Sequence, residues 1–254
     1  MARPSDEAPA RARFDRLDAL RGAAIVWMVV FHFGFDLAHY RLIDADFYRD
    51  RFWLVQRTLI VSLFLLCAGI GQAVAARQGQ RWPRFWRRWA QVAGCAALVS
   101  AGSALMFPQS WISFGVLHGM AVMLIAARIV APWALRPGGW RLVVLLAAGI
   151  VAVLLPSFVQ HAFFDTRATN WLGLVTRKPR TEDWVPVLPW LGVMLWGVAA
   201  GAWALKRRPG LLAGAIGRPL QPLAMLGRWS LSVYMLHQPV LIGAILGGIA
   251  LIGR

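Results

Sequence analysis

Acidic side chains are scarce in this chain: 11 Asp and Glu stand against 27 Lys and Arg, for a net charge of +16. Only 15% of residues are charged, against about a quarter in a soluble domain. Long hydrophobic runs supply what charge does not, and 59% of the chain is apolar. A soluble globular fold is therefore excluded. There are two cysteines, Cys67 and Cys95, each inside an apolar run. That excludes a disulfide framework and leaves them as small apolar side chains. The sequence has no His-x-x-x-His pair and no carboxylate cluster within the apolar runs, so no metal is expected. Neither common glycine-rich phosphate loop occurs, so an anionic ligand would have to be held by Arg side chains as charge pairs.

Seven apolar stretches, at roughly 17–35, 52–76, 89–107, 111–133, 142–160, 186–205 and 223–252, approach or exceed the length of about 20 residues that crosses a bilayer. The expected fold is all-α, a polytopic membrane helix bundle of about seven transmembrane helices. The last stretch is overlong and holds Pro239, which predicts a kink or a re-entrant turn at its outer end. Counting residues just inside the helix ends, the segments before span one, and between spans two and three, four and five, and six and seven, hold 18 Lys and Arg against 4 acids; the remaining segments hold 9 against 7. This asymmetry puts the N-terminus in the cytoplasm and the C-terminus outside, in the inner membrane of a bacterium. It also argues against nucleic acid as the partner of the positive charge. Arg77, Arg81, Arg84, Arg87 and Arg88, with no acid among them, mark the inner side. Trp53, Trp82, Trp86, Trp89, Trp111, Trp133, Trp140 and Trp184 lie near span ends as an interfacial belt.

Residues 1–13 read as a disordered cytoplasmic tail and 14–254 as one membrane domain, with no fixed-period repeat. The first span is not a cleavable signal, being too long and of mixed flanking charge. A tight turn at 108–110 predicts an outer hairpin. The outer segments 36–51 and 161–185 are long enough to be binding loops. Residues 206–222, mixing Lys206, Arg207 and Arg208 with Leu211, Leu212 and Ile216, predict a short surface-lying helix.

Ionisable groups within spans mark function. Arg21 and His32 are 11 residues apart, about 16 Å along a helix and close to one face. Asp18 and Arg21 form an i,i+3 pair that could hold a cofactor or simply anchor the helix end. Asp36, one turn beyond His32, can orient its imidazole if the helix continues, making His32 a general base. His118 sits in Phe-Gly-Val-Leu-His-Gly, about seven residues in from the outer end of span four; Gly115 and Gly119 permit close helix approach. Tyr234, His237 and Gln238 form a polar group near the middle of the last span. His39 and His161 belong to the outer loops. For each histidine, helix packing or interfacial placement is the competing reading. The catalytic candidates are thus His32, Asp36, His118, His237 and Tyr234. The candidates for holding an anionic cofactor are Arg21, Asp18, Arg81, Arg84 and Arg88, with anionic lipid as the alternative ligand of the Arg cluster.

Five segments, in order, carry a resemblance: Arg16-Leu-Asp-Ala-Leu-Arg-Gly-Ala-Ala-Ile…Phe-His32-Phe, Leu63-Phe-Leu-Leu-Cys-Ala-Gly69, Phe114-Gly-Val-Leu-His118, Leu188-Pro-Trp-Leu-Gly-Val193 and Leu226-Gly-Arg-Trp-Ser-Leu-Ser-Val-Tyr-Met-Leu-His-Gln-Pro239. Together they resemble prokaryotic proteins related to heparan-alpha-glucosaminide N-acetyltransferase and, more distantly, the acyltransferase 3 membrane enzymes. The resemblance implies transfer of an acyl group, usually acetyl, from cytoplasmic acetyl-CoA to an acceptor on the far side, with His32 central. The sequence departs from the eukaryotic enzyme, which carries Asn where His32 stands and has an additional luminal domain; its aminosugar acceptor does not carry over, and a sugar or glycan amine or hydroxyl is the broader expectation. Expected partners are the bilayer, acyl-CoA and that acceptor, with room left for a homo-oligomer. The competing functions are a small transporter or flippase with a histidine proton relay, and a non-catalytic scaffold. The absence of an inverted repeat weighs against transport.

Overall fold

The computed structural model describes residues 14–253, so the expected tail at 1–13 lies outside the described residues. Among the described residues eight α-helices carry the fold: α1 (Asp15–His39), α2 (Arg51–Arg77), α3 (Trp82–Met106), α4 (Val116–Leu135), α5 (Trp140–Phe158), α6 (Val187–Arg207), α7 (Gln221–Arg228) and α8 (Ser230–Ile252). All except α7 are long and apolar enough to cross a membrane, which gives seven spans. Among the described residues there is no strand, only an isolated bridge between Phe114 and Trp184.

α6 is the hub. It packs on α2, α5 and α4, and its Met194, Val198, Ala199 and Ala202 are buried with Leu65 of α2 and Met123, Ala127 and Ala131 of α4. The close α2–α6 crossing rests on glycine: a Cβ on Gly69 would strike the backbone of Met194, and one on Gly197 the backbone of Leu66. Small residues at crossings let membrane helices gain van der Waals contact where lipid gives no hydrophobic drive. The same device joins α7 to α1, where Gly227 lies on the Asp18 carbonyl and Gly22 on the Leu223 carbonyl. Lys206 at the end of α6 donates to the carbonyls of Ala134 and Arg136 (2.8 and 2.7 Å), satisfying acceptors that the end of α4 leaves open. α3 packs mainly on α4, and α8 mainly on α1. Their exposed Leu98, Leu105, Leu236, Val240 and Leu246 form an apolar periphery suited to lipid.

Several boundaries differ from the expectation. The third span starts at Trp82, not 89, because Pro83 near the helix start is compatible with a first turn. The fourth starts at Val116, not 111; residues before it run extended, held by Ile112 N–H on Ser103 Oγ (3.0 Å) and Ser100 Oγ on the Ile112 carbonyl (2.6 Å). The overlong seventh stretch breaks at Trp229, between α7 and α8, and not at Pro239, which α8 accommodates. Instead of a surface helix over 206–222, the residues between α6 and α7 form two single 3₁₀ turns, Pro209–Leu211 and Arg218–Leu220, since Pro209, Gly210, Gly214, Gly217 and Pro219 interrupt the segment.

Candidate functional site: a basic cleft and a histidine pair

A cleft of about 660 Å³ opens between α1, α2, α3, α4, α7 and α8. It is lined by Arg21, Arg84, Arg88 and Arg228, and also by Gln72, Leu117, Met120 and Tyr234. Arg21 is fixed by the Asp18 carboxylate (3.1 Å) and the Cys67 carbonyl (3.4 Å), and its guanidinium fills space left by the missing side chain of Gly71. Asp18 thus serves Arg21 while also facing the cleft. Arg81, expected beside them, stands outside the lining, because it is the residue before α3 while Arg84 and Arg88, one turn apart, share the cleft-facing side. Arg228 was not singled out by the sequence reading; its place comes from the α1–α7 glycine contact and a hydrogen bond from its Nε to the Ala224 carbonyl (3.2 Å). Gln72 was also missed, and its buried Oε1 has no hydrogen-bond partner.

Tyr234 in the cleft wall lies one turn before His237, with the two rings 5.6 Å apart. His237 in turn meets His32, so α1 and α8 bring together residues 205 positions apart. Phe31 sets its edge against Phe47 and Trp53, which stack on each other at 3.9 Å; this aromatic nest fixes the rotation of α1 that turns His32 towards α8.

The hydrogen bonds select the tautomers of the pair. A carbonyl oxygen only accepts, so His237 Nδ1, 2.6 Å from the Tyr234 carbonyl, carries a hydrogen. The neutral ring then presents a lone pair at Nε2, 3.2 Å from His32 Nδ1. His32 Nδ1 faces two acceptors, His237 Nε2 and the Met28 carbonyl (3.1 Å), and therefore carries its ring's hydrogen. The lone pair of His32 is left on Nε2, which no hydrogen bond occupies among the described residues. An imidazole fixed in this tautomer is arranged to accept a proton.

Two expected roles do not match the geometry. Asp36 continues α1 one turn beyond His32 and is buried, yet its Oδ1 takes a long 3.5 Å hydrogen bond from Gln238, its Oδ2 has no partner, and neither oxygen bonds His32. The Met28 carbonyl and His237 orient His32 instead. His118, expected as part of the chemistry and well inside the span, sits in the first turn of α4 because that helix starts late. Its Nδ1 accepts from Gly115 N–H (3.2 Å), so its Nε2 carries the hydrogen and donates to Ser100 Oγ (3.0 Å). With both nitrogens engaged, His118 ties α4 to α3. Asp183 completes this corner, accepting from Val116 N–H (2.7 Å) across a gap that any side chain on Gly115 would close. Burial pushes the Asp183 carboxyl up, against the Val116 N–H and the nearby Arg57. His161 accepts from Phe163 N–H (3.1 Å) on the exposed outer loop, and His39 lines a separate cavity of about 230 Å³ with Phe35, Asp44 and Tyr48. Among the described residues no group of three or more His, Cys, Asp or Glu could hold a metal ion.

Residues 13–239 match the profile of a protein family, described as heparan-alpha-glucosaminide N-acetyltransferase, catalytic. The chain belongs to this family. The match spans every helix up to Pro239 and ends two residues beyond His237, so the cleft and the histidine pair both fall within it. The protein is thus a multi-pass member of a membrane acetyltransferase family. No curated protein and no solved structure matches the chain.

Proposed function

We propose that the protein moves an acetyl group from acetyl-CoA, bound in the cleft from the basic end, to an amine or hydroxyl of a sugar or glycan presented beyond the histidine pair. The observation that carries this reading is one cleft lined by four arginines and by Tyr234, whose ring stands beside a histidine pair whose tautomers leave His32 Nε2 free. Arg21, Arg84, Arg88 and Arg228 bind the phosphates of the donor as charge-assisted pairs. Its pantetheine arm runs along α1, bringing the thioester towards His32. His32 Nε2 takes a proton from the acceptor nucleophile as it attacks the thioester carbon; the C–S bond then breaks and CoA leaves as a thiol once protonated. In this reading His237 is a positioning residue that holds the His32 tautomer, and the Tyr234 hydroxyl donates to the developing oxyanion. The charge asymmetry supports a bacterial inner membrane, with the basic end in the cytoplasm and the acceptor on the periplasmic side.

Thermal stability of the detergent-purified protein with acetyl-CoA tests this. At 100 times its dissociation constant a specific ligand adds about 2.7 kcal/mol. Wild type and His32→Ala are expected to shift alike, and Arg21→Ala less. No shift of wild type with acetyl-CoA or a longer acyl-CoA would overturn the reading.

A further inference from the structure

Arg128 of α4 is buried, with 5% of its surface exposed, yet its Nε and Nη1 have no hydrogen-bond partner. Nη2 donates to the carbonyl of Gln80 in the α2–α3 turn, and the guanidinium lies 5.1 Å from the Trp82 ring and 5.8 Å from that of Phe85. Ring faces offset part of the desolvation of a buried cation but leave the Nε–H and both Nη1–H bonds unanswered. The chain offers no counter-ion nearby in sequence: no acidic residue stands between Asp50 and Asp165. In space, the ion pair found among the described residues is Arg21–Asp18, elsewhere in the cleft.

The surroundings favour an anion. α3 begins here without a side chain capping its first turn, so its free N–H groups and the positive end of its dipole face the same region. Gln80 and Phe85, which touch Arg128, also line the cleft, as do Leu124, Arg84 and Arg88. Trp82, 46% exposed, is the outer cover of the guanidinium.

We infer that Arg128, the first turn of α3 and Arg84 form a binding site for a phosphate ester at the mouth of the cleft, with Trp82 swinging outward to admit it. A phosphate brings several acceptor oxygens and the negative charge that this acid-free segment does not supply. Two sources share that chemistry: the nucleotide end of acetyl-CoA, which rests on the function proposed above, and the headgroup of an anionic lipid, which does not.

The test compares wild type with Arg128→Gln in nanodiscs. If the nucleotide is the source, Arg128→Gln weakens acetyl-CoA binding roughly tenfold or more, the usual effect of losing a charged hydrogen bond, and leaves binding of acetyl-pantetheine, which has no phosphate, unchanged. If lipid is the source, phosphatidylglycerol raises the melting temperature of wild type over pure phosphatidylcholine, Arg128→Gln loses that rise, and acetyl-CoA affinity stays the same. A folded Arg128→Gln that keeps both properties overturns the site, while wild-type binding of acetyl-CoA would leave the proposed function standing. Should Arg128→Gln not fold, Trp82→Ala replaces it: uncovering the guanidinium is expected to change acetyl-CoA affinity or phosphatidylglycerol stabilisation by several-fold, and no change in either overturns the site.

Discussion

Replacing His237 by Ala separates the two histidines of the pair. The substitution removes the acceptor 3.2 Å from His32 Nδ1, but the Met28 carbonyl remains at 3.1 Å, so the His32 N–H is not orphaned. What is lost is about one neutral hydrogen bond's worth of orientation, about 1 kcal/mol, or roughly three- to tenfold in rate. His32→Ala removes the base itself and is expected to cost about 10²–10⁴-fold. His118→Ala belongs to a third class: it unties α4 from Ser100 and Gly115, lowering the melting temperature more than the rate per folded molecule. The assay is release of CoA thiol from acetyl-CoA by detergent-solubilised protein, which opens both faces to reagents, with glucosamine as the trial acceptor. If His237→Ala costs as much as His32→Ala, the tautomer argument is refuted and His237 Nε2 carries the base.

Gly227→Ala places a methyl group against the Asp18 backbone carbonyl, which cannot yield as a side chain would; a loss of about 1–3 kcal/mol in thermal stability is expected, together with weaker acetyl-CoA binding as Arg228 is displaced. The outer loop should respond to acid. Thr176 Oγ1 and the N–H groups of Thr176 and Arg177 hold the Asp165 carboxyl below its usual range, so its contribution is present above about pH 4, the unfolded value, and is lost as pH falls through the folded one. Hydrogen exchange at Thr176 and Arg177, corrected for intrinsic rate, is expected to rise below about pH 4 in wild type, and Asp165→Asn is expected to abolish that rise. Asp183 works in the opposite sense: burial raises its carboxyl, so its contribution is present below the unfolded value and is lost as pH rises through the folded one. Asp183→Asn is therefore expected to flatten the slope of melting temperature just above pH 4.

The helices themselves were legible because a bilayer-spanning helix announces itself by length and apolarity, a local property of the chain. Boundaries were less so. Pro83 signals an early start for α3, but the late start of α4 depends on Asp183 capping Val116 from 67 residues away, and the break at Trp229 on α7 packing against α1. Of the site, Arg21, Arg84 and Arg88 were readable as cations near span ends, and His32 and His237 as polar groups at membrane depth. Arg81 could not be told from them, since it stands just ahead of the first residue of α3, a boundary the apolar pattern put at 89. Asp36 looked like the partner of His32 because i,i+4 spacing permits the contact; rotamers and the neighbouring α8 gave it to Gln238.

The sequence by itself therefore determined the class of protein, the number of spans and the asymmetry of charge between alternate connecting segments, since each follows from the composition of contiguous segments in a solvent of fixed thickness. Only the tertiary structure decided which histidines meet, which tautomers they hold, and which arginines share a cleft. Those outcomes depend on helix rotation and crossing, set by side chains far apart in the chain, such as Gly22 on Gly227's helix and His32 on His237's nitrogen.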